Sequence, residues 1–149
     1  MNILDKLTKL LENNDFEKAH DLFLINENLL KDNSTYWNLR GYLYTRIQEY
    51  NLAITCFENA IDIDNTDFEV HYNYAYVCEQ IGEFNKAAIH YGLAYKYSND
   101  EELKATMENV FKNHDGLRKI FLAIAKGKKK SFIITRMLNG ELFTKDIII

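Results

Sequence analysis

The chain contains no proline in its 149 residues. Proline in a helix interior removes a hydrogen bond and clashes with the preceding turn, so its absence leaves every segment free to be helical. Cysteine is nearly absent too. Cys56 and Cys78 lie in separate apolar periodic stretches rather than in a Cys-x-x-Cys pair, which excludes a disulfide framework and reads as two buried, reduced thiols. No apolar run approaches the roughly 18 residues of a membrane span. The start, "MNILDKLTKLLENNDF", lacks the basic and then continuously apolar pattern of a leader, so the expected location is the cytoplasm.

Aromatic residues, by contrast, are plentiful: ten Tyr, nine Phe and one Trp, within a composition that is 47% apolar and 27% charged. That excludes disorder and allows a sizeable core. Charge is unevenly spread. Residues 1–101 carry 17 Asp and Glu against 8 Lys and Arg, whereas residues 102–149 carry 5 against 10, although the net charge is only −4.

Set against itself at an offset of 34 residues, the chain repeats. "YWNLRGYLYTRIQEYNLAITCFENAIDIDN", from residue 36, aligns with "VHYNYAYVCEQIGEFNKAAIHYGLAYKYSN", from residue 70. Gly41 matches Ala75, Tyr50 matches Phe84, Ala53 matches Ala87, Phe57 matches Tyr91 and Ala60 matches Ala94. Trp37, Gly41 and Tyr44 fall one turn apart on a first helix, and Ala53, Phe57 and Ala60 share a face of a second. Small residues stand where two helix backbones must approach, and aromatic ones fill the space beside them. Gln48-Glu49 and Gly82-Glu83 mark the turns inside the units.

These residues resemble the tetratricopeptide repeat. Trp37, Gly41, Tyr44, Tyr50, Ala53, Phe57 and Ala60 occupy its signature slots in residues 34–67. Residues 68–101 match at Ala75, Phe84, Ala87, Tyr91 and Ala94, with His71 replacing the Trp and Cys78 the Tyr, and Asn65 and Asn99 standing for the closing Pro. Residues 1–33 match at Phe16, Ala19 and Phe23 but carry Leu7 in the Gly slot and Asn26 in the last Ala slot, as a degenerate terminal repeat would. The register fails after residue 101. Leu103, Met107, Val110 and Phe111 form a helical stripe begun by a capping box from Ser98 to Glu101, and Gly116 then breaks the pattern. Leu117, Ile120, Phe121 and Ile124 make a last short helix closed by Gly127. The expected fold is therefore an all-α superhelix of antiparallel helix pairs over residues 1–126, with capping helices in 102–126, then a basic linker and β-prone tail at 127–149.

By resemblance, the first helix of each pair lines an inner groove, and the partner-binding positions are Asn38, Tyr42, Thr45, Arg46, Glu69, Tyr72, Tyr76, Glu79 and Gln80. Tyrosines among polar groups suit a peptide, since each offers apolar area with a hydrogen-bonding tip. The slots that hold acidic chaperone tails in some members fall here on Leu4, Thr8, Leu39, Glu69 and Asn73, none of them basic, which argues against that co-chaperone role.

Catalytic patterns are sparse. His20, His71, His90 and His114 show no metal-ligand spacing, and His71 reads as a structural histidine in an aromatic core slot. "DIDNTDFE" lacks the Gly and distal Glu of an EF-hand, and no phosphate-binding loop or nucleophile elbow occurs. No enzyme activity, cofactor or metal is expected. "KGKKK", residues 126–130, with Arg118 and Lys119 before it, reads as a solvated linker rather than a nucleic-acid site, because no aromatic stacking platform accompanies it.

The tail, "SFIITRMLNGELFTKDIII", has two readings. Asn139-Gly140 suits a two-residue hairpin turn between strands, and exposed strands of that kind would pair two chains as a homodimer. Alternatively "KKKSFIIT" opens a parallel sheet, making the repeats the recognition domain of a larger enzyme such as a bacterial glycosyltransferase. The expected function is a non-catalytic scaffold or adaptor that binds a protein or peptide.

Overall fold

The computed structural model describes residues 2–127, 131–138 and 141–148. Three helix pairs stack in chain order. The first is α1 (Ile3–Glu12) with α2 (Phe16–Ile25), followed by a single turn, α3 (Glu27–Leu30). The second is α4 (Ser34–Arg46) with α5 (Tyr50–Ile63), and the third α6 (Phe68–Gln80) with α7 (Phe84–Tyr97). Two further helices, α8 (Glu101–Val110) and α9 (Asp115–Ala125), follow. Short polar side chains start the first helices by satisfying orphan N–H groups: Asn2 accepts from Asp5 N, Asn33 from Tyr36 N, and Asp67 from Glu69 N.

The turns inside the pairs are alike in detail. Asn14, Gln48 and Gly82, one repeat apart, take left-handed φ values of 59°, 62° and 82°. In each turn the next residue's N–H donates back to a carbonyl five residues earlier: Asp15 to Leu10, Glu49 to Tyr44 and Glu83 to Cys78, all at 2.8 Å. That bond closes the first helix and aims the chain into the second. Only the third turn uses glycine, the residue for which this conformation carries no steric cost.

Packing follows the repeat. A Cβ on Gly41 would lie 2.6 Å from the Phe57 ring, so a small residue here is what lets α4 and α5 close around that fully buried aromatic. One buried cluster joins Leu7, Leu11, Ala19 and Phe23 to Tyr36 and Leu43, tying the degenerate first pair to α4. There Tyr36 donates its hydroxyl proton to the Phe23 carbonyl at 2.7 Å. Arg40 lies beside it, paired with Glu27 and within 6.0 Å of the Tyr36, Trp37 and Tyr44 rings. The larger cluster runs from Ala53 and Phe57 through Tyr74, Ala87 and Tyr91 to Met107 and Phe121, so α8 and α9 cover the open side of the last pair. Gly92 makes this possible, because a Cβ there would meet Ile124 Cβ at 2.8 Å and the Phe121 carbonyl at 3.0 Å.

Two expected helix starts are corrected. Asp100, not Ser98, caps α8, accepting from Leu103 N at 3.1 Å, while the Ser98 hydroxyl accepts from Asp100 N. Gly116 does not break the pattern; it lies in the first turn of α9, which His114 caps through Nδ1 to Leu117 N. Lys126, at the end of α9, is exposed and ion-paired. Its ammonium pairs with Glu108 at 2.8 Å, which in turn accepts from the Tyr95 hydroxyl.

Backbone pairing is antiparallel between β1 (Ser131–Leu138) and β2 (Glu141–Ile148), with Ser131 opposite Ile148 and Leu138 opposite Glu141. Both Lys128–Lys130 and the expected Asn139-Gly140 turn lie outside the described residues. No helix among the described residues is long and apolar enough to cross a membrane.

Candidate functional site

The first helix of each pair, together with the start of α8, walls a cleft with two depressions. The first, about 380 Å³, is lined by Thr8, Leu11 and Glu12 of α1, Asn38, Leu39 and Tyr42 of α4, Phe68, Glu69, Tyr72 and Asn73 of α6, and Asp100 and Leu103 at α8. The second, about 340 Å³, takes Thr45, Arg46, Gln48, Tyr50 and Tyr76 and shares Tyr42, Tyr72 and Asn73 with the first. Those shared residues make the depressions continuous. Asn73 Nδ2 donates to Asn38 Oδ1 at 3.0 Å, bracing α6 against α4 at the floor.

The two ends differ in charge. Around the first depression stand Glu12, Glu69 and Asp100 with no basic side chain. Burial, with the nearby Asp67 carboxylate, raises the pKa of Glu69. At the other end Arg46 donates to the Tyr42 hydroxyl at 3.0 Å and to Asn14 Oδ1 at 3.2 Å, and stacks 5.3 Å from the Phe16 ring centre. All its partners are neutral, so its positive charge is uncompensated by them.

Seven of the nine expected groove positions are brought together here: Asn38, Tyr42, Thr45, Arg46, Glu69, Tyr72 and Tyr76. Their exposure varies. Asn38 is almost buried, whereas Tyr76 is 40% exposed; Tyr72 is intermediate and packs its ring edge-on to Tyr91 at 5.7 Å. Glu79 and Gln80 are not brought into the cleft. Glu79 accepts from the Tyr91 hydroxyl at 3.0 Å and lines a separate cavity of about 610 Å³ with Phe84, Phe111 and His114, and Gln80 lines neither depression. Across that separate cavity Glu79 faces the end of α8 at Val110 and Phe111.

The repeat register would have found four of the missed positions. Thr8 is equivalent to Tyr42, Leu11 to Thr45, Glu12 to Arg46, and Leu103 to Glu69, each one or more repeats apart. Asp100 had no such signal, since it belongs to the cap of α8. Thr8, Leu39, Glu69 and Asn73, four of the slots compared with chaperone-tail binders, do face the cleft and supply no cation.

His71 is buried with both ring nitrogens engaged. Nε2 lies 2.7 Å from the Asn65 carbonyl, and Nδ1 lies 3.0 Å from Nδ1 of His90. A carbonyl only accepts, so Nε2 carries a proton, and in the neutral pair a single N–H, that of His90, bridges the two Nδ1 atoms. Cys56 and Cys78 are free and buried, their thiols pushed up to about 12 by desolvation. These groups belong to the core and do not reach the cleft.

Residues 41–82, from the middle of α4 through α6, match the family model described as TPR repeat. A TPR repeat-containing protein of Methanocaldococcus jannaschii is 26% identical over 81 residues, which is 54% of this chain and 14% of that relative. The chain therefore spans about a seventh of the relative's length. Among solved structures, the type III secretion chaperone SycD of Yersinia enterocolitica, in complex with a peptide of the translocator YopD, superposes with a TM-score of 0.66 at 17% identity. That match covers 80% of this chain and 88% of SycD. An alternative dimer of the same chaperone gives 0.59 at 22% identity, covering 86% and 92%. These likenesses establish the fold, and they lend the glycosyltransferase reading no support. The 34-residue register, the helix-pair geometry and the family model over residues 41–82 agree that the chain carries TPR-like repeats.

Proposed function

We propose that the chain is a protein-interaction module, a scaffold or adaptor, that holds a peptide or a segment of a partner protein in the cleft between its first helices. The observation that carries this reading is the continuous two-part cleft whose shared floor is Tyr42, Tyr72 and Asn73. Tyrosine supplies a large contact area at a small entropic cost and keeps a hydroxyl for the peptide backbone. A chaperone of the same fold has been solved with a peptide bound, which is consistent with the reading. The proposed contact set is the seven positions that meet in the cleft, with Thr8, Leu11, Glu12, Leu39, Phe68, Asn73, Asp100 and Leu103 added.

Replacing Tyr42, Tyr72 and Tyr76 together by Ala tests it. Partner capture from lysate of the source cells is expected to vanish while far-UV circular dichroism stays helical; unchanged capture would defeat the assignment. We also propose that residues 1–126 are the folding unit and that the tail closes as a hairpin able to pair two chains. Light scattering on the full chain and on a version ending at residue 127 separates these: a dimer that persists without the tail removes its role in pairing.

A further inference from the structure

The cleft is electrically polar along its length. Its first depression is ringed by Glu12, Glu69 and Asp100 with no basic side chain, and its second holds Arg46, whose contacts are all neutral. None of the three carboxylates takes part in an ion pair among the described residues. Concave walls focus such a field, because the low-dielectric flanks screen it less than open water does. Leu11, Leu39, Phe68 and Leu103 line the same depression as the carboxylates, an apolar surface suited to side chains of a bound segment.

Resting on the groove reading, we infer that the occupant is an extended peptide with a Lys or Arg side chain seated among Glu12, Glu69 and Asp100, apolar side chains next to it, and a carboxylate at Arg46. The charges fix direction as well as identity. A peptide laid in backwards would set its carboxylate against three acids and its cation against Arg46, and like-charge juxtaposition in a concave site is what rejects wrong partners. Nucleic acid is disfavoured for the same reason, since its phosphates would face the acidic end. Desolvation and the Asp67 charge raise the Glu69 carboxyl's pKa, and a bound cation lowers it.

Selection of phage-displayed random dodecapeptides on the full chain, followed by fluorescence anisotropy on the synthetic winners, tests this. Winners are expected to carry Lys or Arg and Asp or Glu at a fixed spacing, in one order. Changing that Lys to Gln should weaken binding about tenfold, the scale of one 1.4 kcal/mol charge contact. In a Glu12→Gln/Glu69→Gln variant, with its melting unchanged, the tenfold gap should close. Winners without a basic residue, or a gap that persists in the variant, overturn the inference. The groove reading is judged separately by Tyr42→Ala/Tyr72→Ala. If that variant releases peptides whose binding ignores charge, the inference falls and the groove stands; if it releases nothing, or no peptide is ever enriched, the groove reading falls and the inference with it.

Discussion

Acid should loosen this protein through a pair of histidines remote from its cleft. His71 and His90 face each other at 3.0 Å with ring planes 19° apart, and His71 Nε2 is committed to the Asn65 carbonyl. Tyr97 stacks on His71, Tyr74 tilts against His90, and Lys86 reaches over Tyr74, so the surroundings offer His90 no acceptor for an extra charge. Desolvation, then the neighbouring His71 and Lys86, lowers His90 to about 3; desolvation also lowers His71, against the raising effects of the Asn65 carbonyl, Asp67 and Asp64. The sign follows from linkage. An unfolded histidine titrates near 6.5, so as pH falls below that value the unfolded chain takes up a proton that the folded chain refuses, and stability drops. For His90 alone, the change from pH 7.5 to pH 5 amounts to about 2 kcal/mol. In urea unfolding followed by circular dichroism, that corresponds to a midpoint about 1 M lower at the acid pH. A His90→Gln variant keeps an N–H donor for His71 but cannot titrate, so its loss over the same range should be smaller by that amount. Asp64, held low by hydrogen bonds from the Thr66 backbone and hydroxyl, and Glu69, raised by burial, titrate in both proteins and cancel in the comparison. Parallel pH profiles for the two proteins would refute the reasoning.

Other expectations concern the repeat itself. Gln48→Gly should raise stability by about 0.5–1 kcal/mol in urea, because it removes the left-handed penalty of a side chain at φ 62° and loses part of the gain to unfolded-state entropy. Gly92→Val should cost about 1–3 kcal/mol by forcing α7 away from Ile124 and the Phe121 carbonyl, and should make α9 the first segment cut in limited proteolysis. Phe57→Ala, emptying a fully buried ring site against Gly41, should cost about 3–5 kcal/mol in the same unfolding assay. Tyr36→Phe should cost about 1–3 kcal/mol, since the buried Phe23 carbonyl loses its hydroxyl donor.

The helix pairs were legible because their information is local and repeated. Gly41 against Phe57, or Ala75 one repeat on, recurs in register, and each pair buries the same small and aromatic slots. The three turns were only partly legible: Gly82 announces a left-handed turn, whereas Gln48 takes one without looking suited to it. The helix starts at Asp100 and His114 were missed because Ser98 and Gly116 offered a plausible local pattern two residues away, and neighbouring side chains compete closely for the same orphan N–H groups.

What the amino-acid order determined by itself is the repeat: its period and the face each helix buries. That follows because neighbouring units contact each other through the same positions, so a one-dimensional pattern specifies the stack. Which groove positions meet was decided only in three dimensions. Glu79 and Gln80 share the register of Thr45 and Arg46 yet line neither depression; Glu79 is bonded to Tyr91 and opens on a separate cavity walled by the end of α8. The convergence of Glu12, Glu69 and Asp100 from three helices, and of His71 with His90 across one pair, depends on how the helices cross. Such meetings join residues far apart in sequence, and only packing sets the distances between them.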